Sequence, residues 1–516
     1  MKKNILTVLF AVINLIAFAQ TEYDALKLTQ TDISGSARYM GMGGAFGALG
    51  GDATALKDNP AGLGVFRSSE IATTVNMMVQ NTNAIWDGTS FKENINNLKM
   101  NNFSYVMASP RWDEKNSGLL CSNFSFTYDR LHNFNRKINA QASLSPYSIT
   151  DFLAAFSDGY SKEALMESDA QKDPYLNPNN AWLSVLGFQN LLINPLAGNK
   201  WASVLNKDEK VSPSSYISES GALNEYGIGW GGNFNNNLYI GANLNMEDLT
   251  YYLTSSYGEK FANGGGLNMK TKLVQTGVGF NLKLGVIYLP TNSLRLGVSV
   301  HTPTFYSISE SSNVDLQTSE TSNPYLPLSD YTHDFKVQSA FQAQASAAYL
   351  FGKKGLISAE YNFVNYPGMR LGTDNGDDQY FQDYNQSMGK VLKNSQTYKV
   401  GAEFKLSPSF ALRGGYAIMT AATNPDYKQG KSLILNTANT NTEYFSQYDT
   451  KYLTCGFGYR EAGWFIDFAY ALKTQNEDMY PFQILESKSN VITNVVTPAS
   501  VKTNTNNILV TLGIKL

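Results

Sequence analysis

From about residue 70 to the C-terminus, apolar and polar residues alternate with a period of two, the period of a strand whose two faces meet different surroundings. Trp464, Ile466, Phe468, Tyr470 and Leu472 fall in one phase; Phe465, Asp467, Ala469, Ala471 and Lys473 fall in the other. Leu453, Cys455, Phe457 and Tyr459 oppose Tyr452, Thr454, Gly456 and Gly458. Tyr398, Val400, Ala402, Phe404 and Leu406 oppose Lys399, Gly401, Glu403 and Lys405. Near 340, Phe335, Val337, Phe341, Ala343, Ala345, Ala347 and Tyr349 oppose Lys336, Gln338, Gln342, Gln344 and Ser346. Charged residues keep to one phase, and the face they share with Gly, Ala and Gln reads as a wet lumen. A Lys or Arg on a lipid-facing phase costs roughly 2–4 kcal/mol at mid-bilayer, which accounts for that discipline.

About 14 such segments are predicted, near 70–80, 101–109, 119–140, 222–234, 237–255, 268–288, 293–308, 332–351, 355–367, 394–406, 409–420, 448–460, 463–475 and 503–516. Short connections such as Asn235-Asn236, Gly352-Lys353-Lys354 and Ser407-Pro408 alternate with long ones near 81–100, 141–221, 256–267, 309–331, 370–393, 421–447 and 476–502. Short periplasmic turns and long extracellular loops are the habit of an outer-membrane barrel. The predicted fold class is therefore all-β, a 14-stranded antiparallel transmembrane β-barrel (residues 70–516), with both chain ends in the periplasm. In the longest loop, 141–221, Ile149, Phe152, Leu153, Phe156 and Tyr160 fall at helical spacing, and Trp182, Val185, Leu186, Leu191 and Leu192 form a second apolar cluster. Two readings stay open: helices that offer an apolar surface to a ligand or partner, or helices that pack on each other and cap the barrel.

The first 69 residues follow other rules. Lys2 and Lys3 precede an uncharged run from Ile5 to Ala19, and Ala17-Phe18-Ala19 fits a small-x-small cleavage site. Residues 1–19 read as a signal peptide, with Gln20 as the first mature residue and the cell outer membrane as destination. Residues 20–69 carry the Gly-rich run from Gly35 to Asp52 and then Ala53 to Leu63. A phosphate loop does not fit: after Gly41 and Gly43, Phe46 stands where a third Gly belongs, and there is no Walker lysine. Backbone with few Cβ atoms, able to cross a crowded barrel interior, fits better. Asp52 to Leu56 is expected to form a short helical turn halted by Asn59-Pro60.

Ser36-Ala37-Arg38, Gly43-Gly44-Ala45, Asp52-Ala53-Thr54-Ala55 and above all Asn59-Pro60-Ala61-Gly62-Leu63 resemble the FadL/TodX family of outer-membrane transport proteins, whose Asn-Pro-Ala motif the last group matches. The resemblance implies a 14-stranded barrel whose N-terminal part, residues 20–69, folds inside as a hatch. It also implies passive transport of hydrophobic small molecules, such as long-chain fatty acids or aromatic compounds. Gly43, Gly44, Asn59, Pro60, Ala61, Gly62 and Leu63 are the candidate gating residues. The chain departs from the pattern in ending on Leu516, where barrels often carry an aromatic residue, and in its large 141–221 loop.

Composition changes this picture little. The 31 Tyr, 28 Phe and 42 Gly suit half-buried strands, interface girdles and turns. A net charge of −3 offers no basic patch for nucleic acid. Cys121 and Cys455 lack metal-ligand spacing, and their phases set them on opposite faces of the wall, so two free thiols are expected. No metal or cofactor is expected. Among His132, His301 and His333 no paired spacing favours haemin, which stays a third reading. Ser299 and His301 share a lumenal phase, a weak enzyme-like pair in a chain read as no enzyme. Arg295, Glu360, Lys399, Glu403, Lys405, Arg413, Asp467 and Lys473 are predicted lumenal charges that either pair to hold the hatch or meet a cargo carboxylate. The expected partners are outer-membrane lipid, lipopolysaccharide and a hydrophobic ligand, in a monomer. The alternative is an accessory component of a protein-secretion machine that grips its partner with the loops.

Overall fold

The computed structural model describes residues 21–516 apart from 111–116, 167–172, 176, 178–179, 207, 320–330, 374–375, 377–380, 425–439 and 483–495. The signal-peptide reading of residues 1–19 lies outside the described residues. Fourteen antiparallel strands close on themselves. They are β1 (Glu70–Trp86), β2 (Thr89–Met107), β3 (Leu119–Asn133, resumed as Arg136–Gln141), β4 (Val211–Phe234), β5 (Leu238–Phe261) and β6 (Gly266–Tyr288). Then follow β7 (Leu294–His301 and Phe305–Thr318), β8 (Tyr331–Gln338 and Phe341–Leu350) and β9 (Gly355–Asn365 and Arg370–Thr373). The last five are β10 (Ser395–Lys405), β11 (Phe410–Met419), β12 (Tyr444–Gln447 and Thr450–Arg460), β13 (Trp464–Tyr480) and β14 (Ala499–Lys515). Each pairs with its sequence neighbours, and β14 pairs with β1 from Glu70↔Lys515 to Ile85↔Ser500, so no terminal edge is left open.

The predicted phases are the observed faces in the lower wall. On β10, Tyr398, Val400 and Phe404 are about half exposed to the outside, while Lys399 and Glu403 are buried within. Cys455 is exposed, Cys121 is buried, and both are free thiols. The phase fails near 340. Phe335 and Val337 are buried inside the upper part of β8, and Lys336 is exposed. The strand breaks at Ser339-Ala340, beside a matching break in β7, with Ser339 N–H donating to the Thr304 carbonyl (2.9 Å). The break reverses which face looks in.

The ladder also runs on where alternation stops. Residues 81–100, expected as a loop, form the ends of β1 and β2 joined by a two-residue turn, with Asp87 and Gly88 both at positive φ. The exposed face of β2 passes from Leu98 and Met100 to Asn96, Asn94 and Lys92, so the hairpin leaves the apolar band but keeps its pairing. Likewise 211–221, 256–261, 309–318, 476–480 and 499–502 are strand, which shortens the predicted 141–221 loop to residues 142–210. That loop carries α3 (Ile149–Phe156), α4 (Lys162–Leu165) and α5 (Trp182–Gln189). Ile149, Phe152, Leu153 and Phe156 bury against Trp182, Val185, Leu186 and Leu192 in one apolar cluster; of the residues predicted there, Leu191 alone is largely exposed. These helices pack on each other and cap the barrel.

The same cluster takes in Ala25, Leu26 and Leu28 of α1 (Glu22–Thr29). Residue 21 therefore sits at the long-loop mouth. The expectation of both ends beside the short turns holds only for the C-terminus, whose Leu516 N–H donates to the Ser69 carbonyl (2.9 Å). From α1 the chain descends through the lumen by α2 (Ala37–Gly41) and two 3-10 turns, Ala53–Lys57 and Pro60–Val65, before entering β1.

One wall pairing is short. All 17 residues of β1 pair with β2 or lie opposite it, but β2 and β3 pair only from Asn102↔Asp129 to Met107↔Phe124. Beyond that point β3 breaks at Phe134-Asn135 and stays with β4, where Gly221 sits at φ +118. There the Gly221 carbonyl accepts from Phe134 N–H (3.1 Å), and Gly221 N–H donates to Asn135 Oδ1 (3.3 Å). A Cβ on Gly221 would lie 2.0 Å from the Thr250 carbonyl oxygen. Gly221→Ala is expected to destabilise the barrel by about 1–3 kcal/mol in a urea titration. A midpoint equal to wild type would show that the bend does not depend on this backbone conformation.

Candidate functional site

The lumen is filled by residues 31–66, and the wall is built to receive them. Asn59 caps the second 3-10 turn by accepting from Ala61 N–H (3.1 Å), and Pro60 starts that turn rather than ending one, its missing N–H being no loss at a first helical position. The Asn59 Nδ2 donates to the Gly47 carbonyl (2.7 Å) and to the Val286 carbonyl of β6 (3.3 Å). Gly285 makes this approach possible: a Cβ there would meet Asn59 Oδ1 at 1.9 Å. Asn123 of β3 donates to the carbonyls of Leu63 (2.7 Å) and Phe66 (3.0 Å). Gly43 packs on Gly415 of β11, where a Cβ would meet the Gly43 nitrogen at 2.3 Å. Gly44 sits against Tyr39, and Ala61, Gly62 and Leu63 are fully enclosed. Much of the glycine-rich inner face, read from sequence as wetted, is backbone-to-backbone contact with this segment.

The predicted lumenal charges meet the same segment. Glu360 accepts from Gly47 N–H (2.8 Å) and pairs with Lys399 (2.6 Å), which reaches Asp58 at 3.5 Å. Arg413 joins Glu403 (2.7 Å) to Asp467 (2.6 Å), and Glu403 also holds Arg38 of α2 (2.9 Å). Arg295 donates to the Leu49 carbonyl (2.6 Å). Lys405 is an exception: it is exposed at the short-turn end of β10. Lys473 pairs with Asp32 (2.5 Å).

Asp32 is a junction that the sequence did not announce. Besides Lys473 it meets His132 Nδ1 of β3 (2.9 Å) and accepts from the Tyr452 hydroxyl (3.0 Å). Burial by itself would raise its carboxyl, but Lys473 and His132 outweigh burial and hold it well below the usual carboxylate range. Asp32 lines two of three neighbouring cavities. The first, of about 90 Å³, lies under α1 between Tyr23, Phe134, Arg136, Tyr444 and Gln475. The second shares Gln80, His132, Asn133 and Lys473 with it and lies between the parted strands, with Lys99 and Asn101 from β2 and Arg130 and Leu131 from β3. The third continues past Asp32 to Asp58, His301 and Lys399. A discontinuous path thus leads from beneath the cap to the break between β2 and β3.

The other candidate chemistry is not assembled. Ser299 Oγ and His301 Nε2 both lie against the Asp58 carbonyl (2.7 and 2.8 Å). His132 is at Asp32, and His333 is near Glu310 at 3.7 Å. Among the described residues, no group of three or more His, Cys, Asp or Glu is placed to hold a metal ion.

No protein-family model matches the chain, and no curated protein matches it significantly. A solved FadL homologue from Pseudomonas aeruginosa matches 94% of this chain over 99% of its own, at 11% identity and a TM-score of 0.52. The chain has the fold of that FadL homologue. Weaker likenesses are to the toluene transporters TodX of Pseudomonas putida (12% identity, 94% and 98% covered, TM-score 0.48) and TbuX of Ralstonia pickettii (13%, 94% and 99%, 0.48).

Proposed function

We propose that this chain is a passive outer-membrane channel for small hydrophobic molecules, with residues 31–66 as its hatch and the break between β2 and β3 as its exit. The observation that carries the reading is the coincidence of that break with the string of cavities. Parting the ladder leaves backbone groups to be satisfied elsewhere, at several kcal/mol each in apolar surroundings, and the cavities reach the wall at this point. Leu98 and Met100, exposed on β2 beside the break, place it at the upper rim of the apolar band. A solute leaving sideways at that level enters the lipid without crossing the filled lower lumen. Capture begins at the long-loop mouth, which is then extracellular, and the mature chain is delivered there after loss of residues 1–19. The Asn59-Pro60-Ala61-Gly62-Leu63 resemblance supports long-chain fatty acids or aromatic compounds as the cargo classes to test.

A cross-link tests the exit. Asn101 and Arg130 are the next positions past the last β2–β3 pair. With Cys455→Ser as background, Asn101→Cys with Arg130→Cys should, once oxidised, reduce uptake of an apolar fluorescent probe by whole cells to that of cells lacking the protein. Reduction should restore it. Uptake equal in the oxidised and reduced forms would remove the break from the pathway.

A further inference from the structure

We infer that the cavity under α1 selects amphiphiles with an uncharged, hydrogen-bonding head group over carboxylates; this rests on the channel reading and narrows it, setting ionised fatty acids below neutral cargo. One side of the cavity is aromatic. Tyr23 lies 5.5 Å from Tyr444, which stacks on Tyr480 at 4.8 Å, with Phe134 and Phe445 beside them. The other side is ionic. Among the described residues its lysines and arginines are Lys27, Arg136 and Lys473, its acids are Asp24, Glu219, Glu443 and Glu477, and its one histidine, His132, is already held by Asp32 (2.9 Å), so acids outnumber Lys and Arg by four to three.

Each cation is also committed. Lys27 pairs with Glu219 (3.0 Å), Arg136 with Glu219 (2.6 Å) and Glu477, and Lys473 with Asp32 (2.5 Å). Lys27 and Arg136 further lie over the Phe445 ring, 5.6 and 4.6 Å from its centre. An entering carboxylate would have to break a buried ion pair or sit unpaired in an acid-rich wall, and both are unfavourable where water is scarce. A hydroxyl or amide meets neither obstacle.

The neutral groups of the wall match such a head. Among the described residues, the buried acceptors Gln80 Oε1 and Asn133 Oδ1 have no hydrogen-bond partner, and neither does buried Thr503 Oγ1. The Thr503 hydroxyl can serve either kind of head, whereas the two amide oxygens take only a donor. An O–H or N–H supplies one, and a carboxylate has none.

The test uses the full-length protein in non-ionic detergent at pH 8, titrated with 1-decanol and with decanoate. Decanol should bind at least about tenfold more tightly, the scale expected when one buried charge goes unpaired. Gln475→Lys, which brings a further lysine to the wall, should narrow that ratio. Equal binding of the two ligands, tighter binding of decanoate, or a ratio that Gln475→Lys leaves unmoved would overturn the head-group inference and leave the channel standing. Binding of neither ligand would overturn the channel reading as well.

Discussion

Arg413→Ala is expected to lower the unfolding free energy by about 3–5 kcal/mol, the range seen when one partner of a buried ion pair is removed. Arg413 is 6% exposed and its guanidinium is shared between Glu403 and Asp467, at 2.7 and 2.6 Å. Without it, the cations left among the described residues are Arg460 at 3.5 Å for fully buried Asp467 and Arg38 for Glu403. The loss therefore falls on two carboxylates, and on the anchorage of α2 through the one they share. Arg413→Lys should lie between alanine and wild type, because an ammonium keeps the charge but lacks the planar fork that places separate N–H groups on Glu403 and Asp467 at once. Urea titration of the bilayer-folded protein reads both variants. An alanine loss below about 1 kcal/mol, typical of exposed pairs, would mean that water reaches this cluster.

The second large effect concerns permeation. The intact chain, its lumen filled, should pass little ionic current in planar bilayers, and deleting residues 36–62 should turn it into an ohmic pore. The deleted stretch holds α2, the first 3-10 turn, the first half of the second, and the hatch partners of Glu360, Glu403 and Arg295. The wall it leaves behind is polar, so water fills the vacated lumen. The barrel itself survives because β1 remains zipped between β2 and β14 over its whole length. A deletion variant that folds, judged by its electrophoretic heat shift, and yet carries no current would show that residues 36–62 are not the obstruction. The same preparation separates the two parts of the channel reading: a sideways exit for apolar solutes does not require the axial lumen to conduct ions.

Much of the wall was legible because lipid enforces it residue by residue. Tyr398, Val400 and Phe404 outside against Lys399 and Glu403 inside is a pattern written in adjacent positions. Legibility ends where lipid ends. The outer face of β2 above Leu98 meets water, polar residues become acceptable on both faces, and alternation fades while backbone pairing continues to the turn at Asp87-Gly88. The same loss of contrast hid the reversal in β8, since inside the cap Phe335 and Val337 are buried by helices and loops rather than by lipid.

The candidate site was legible as a motif and not as a mechanism. Asn59-Pro60-Ala61-Gly62-Leu63 marked the segment, but the groups that receive it lie on distant strands: Gly285, Asn123 and Gly415. Asp32 carries no local signal at all, because its meaning comes from His132, Tyr452 and Lys473, which are 100 to 441 positions away. By itself, the sequence determined the barrel, its strand number, which face of each lower strand meets lipid, and the segment inside. Those follow from local contrast between two solvents and from backbone chemistry at single residues. Only the tertiary structure decided that β3 leaves β2 at Asn102↔Asp129, that α1 reaches the long-loop mouth, and that Lys27, Arg136 and Lys473 in the cavity beneath it are already paired. Each of these is a relation between residues far apart in the chain, set by which strands close the ring and which way a bend turns, and no stretch of consecutive residues encodes it.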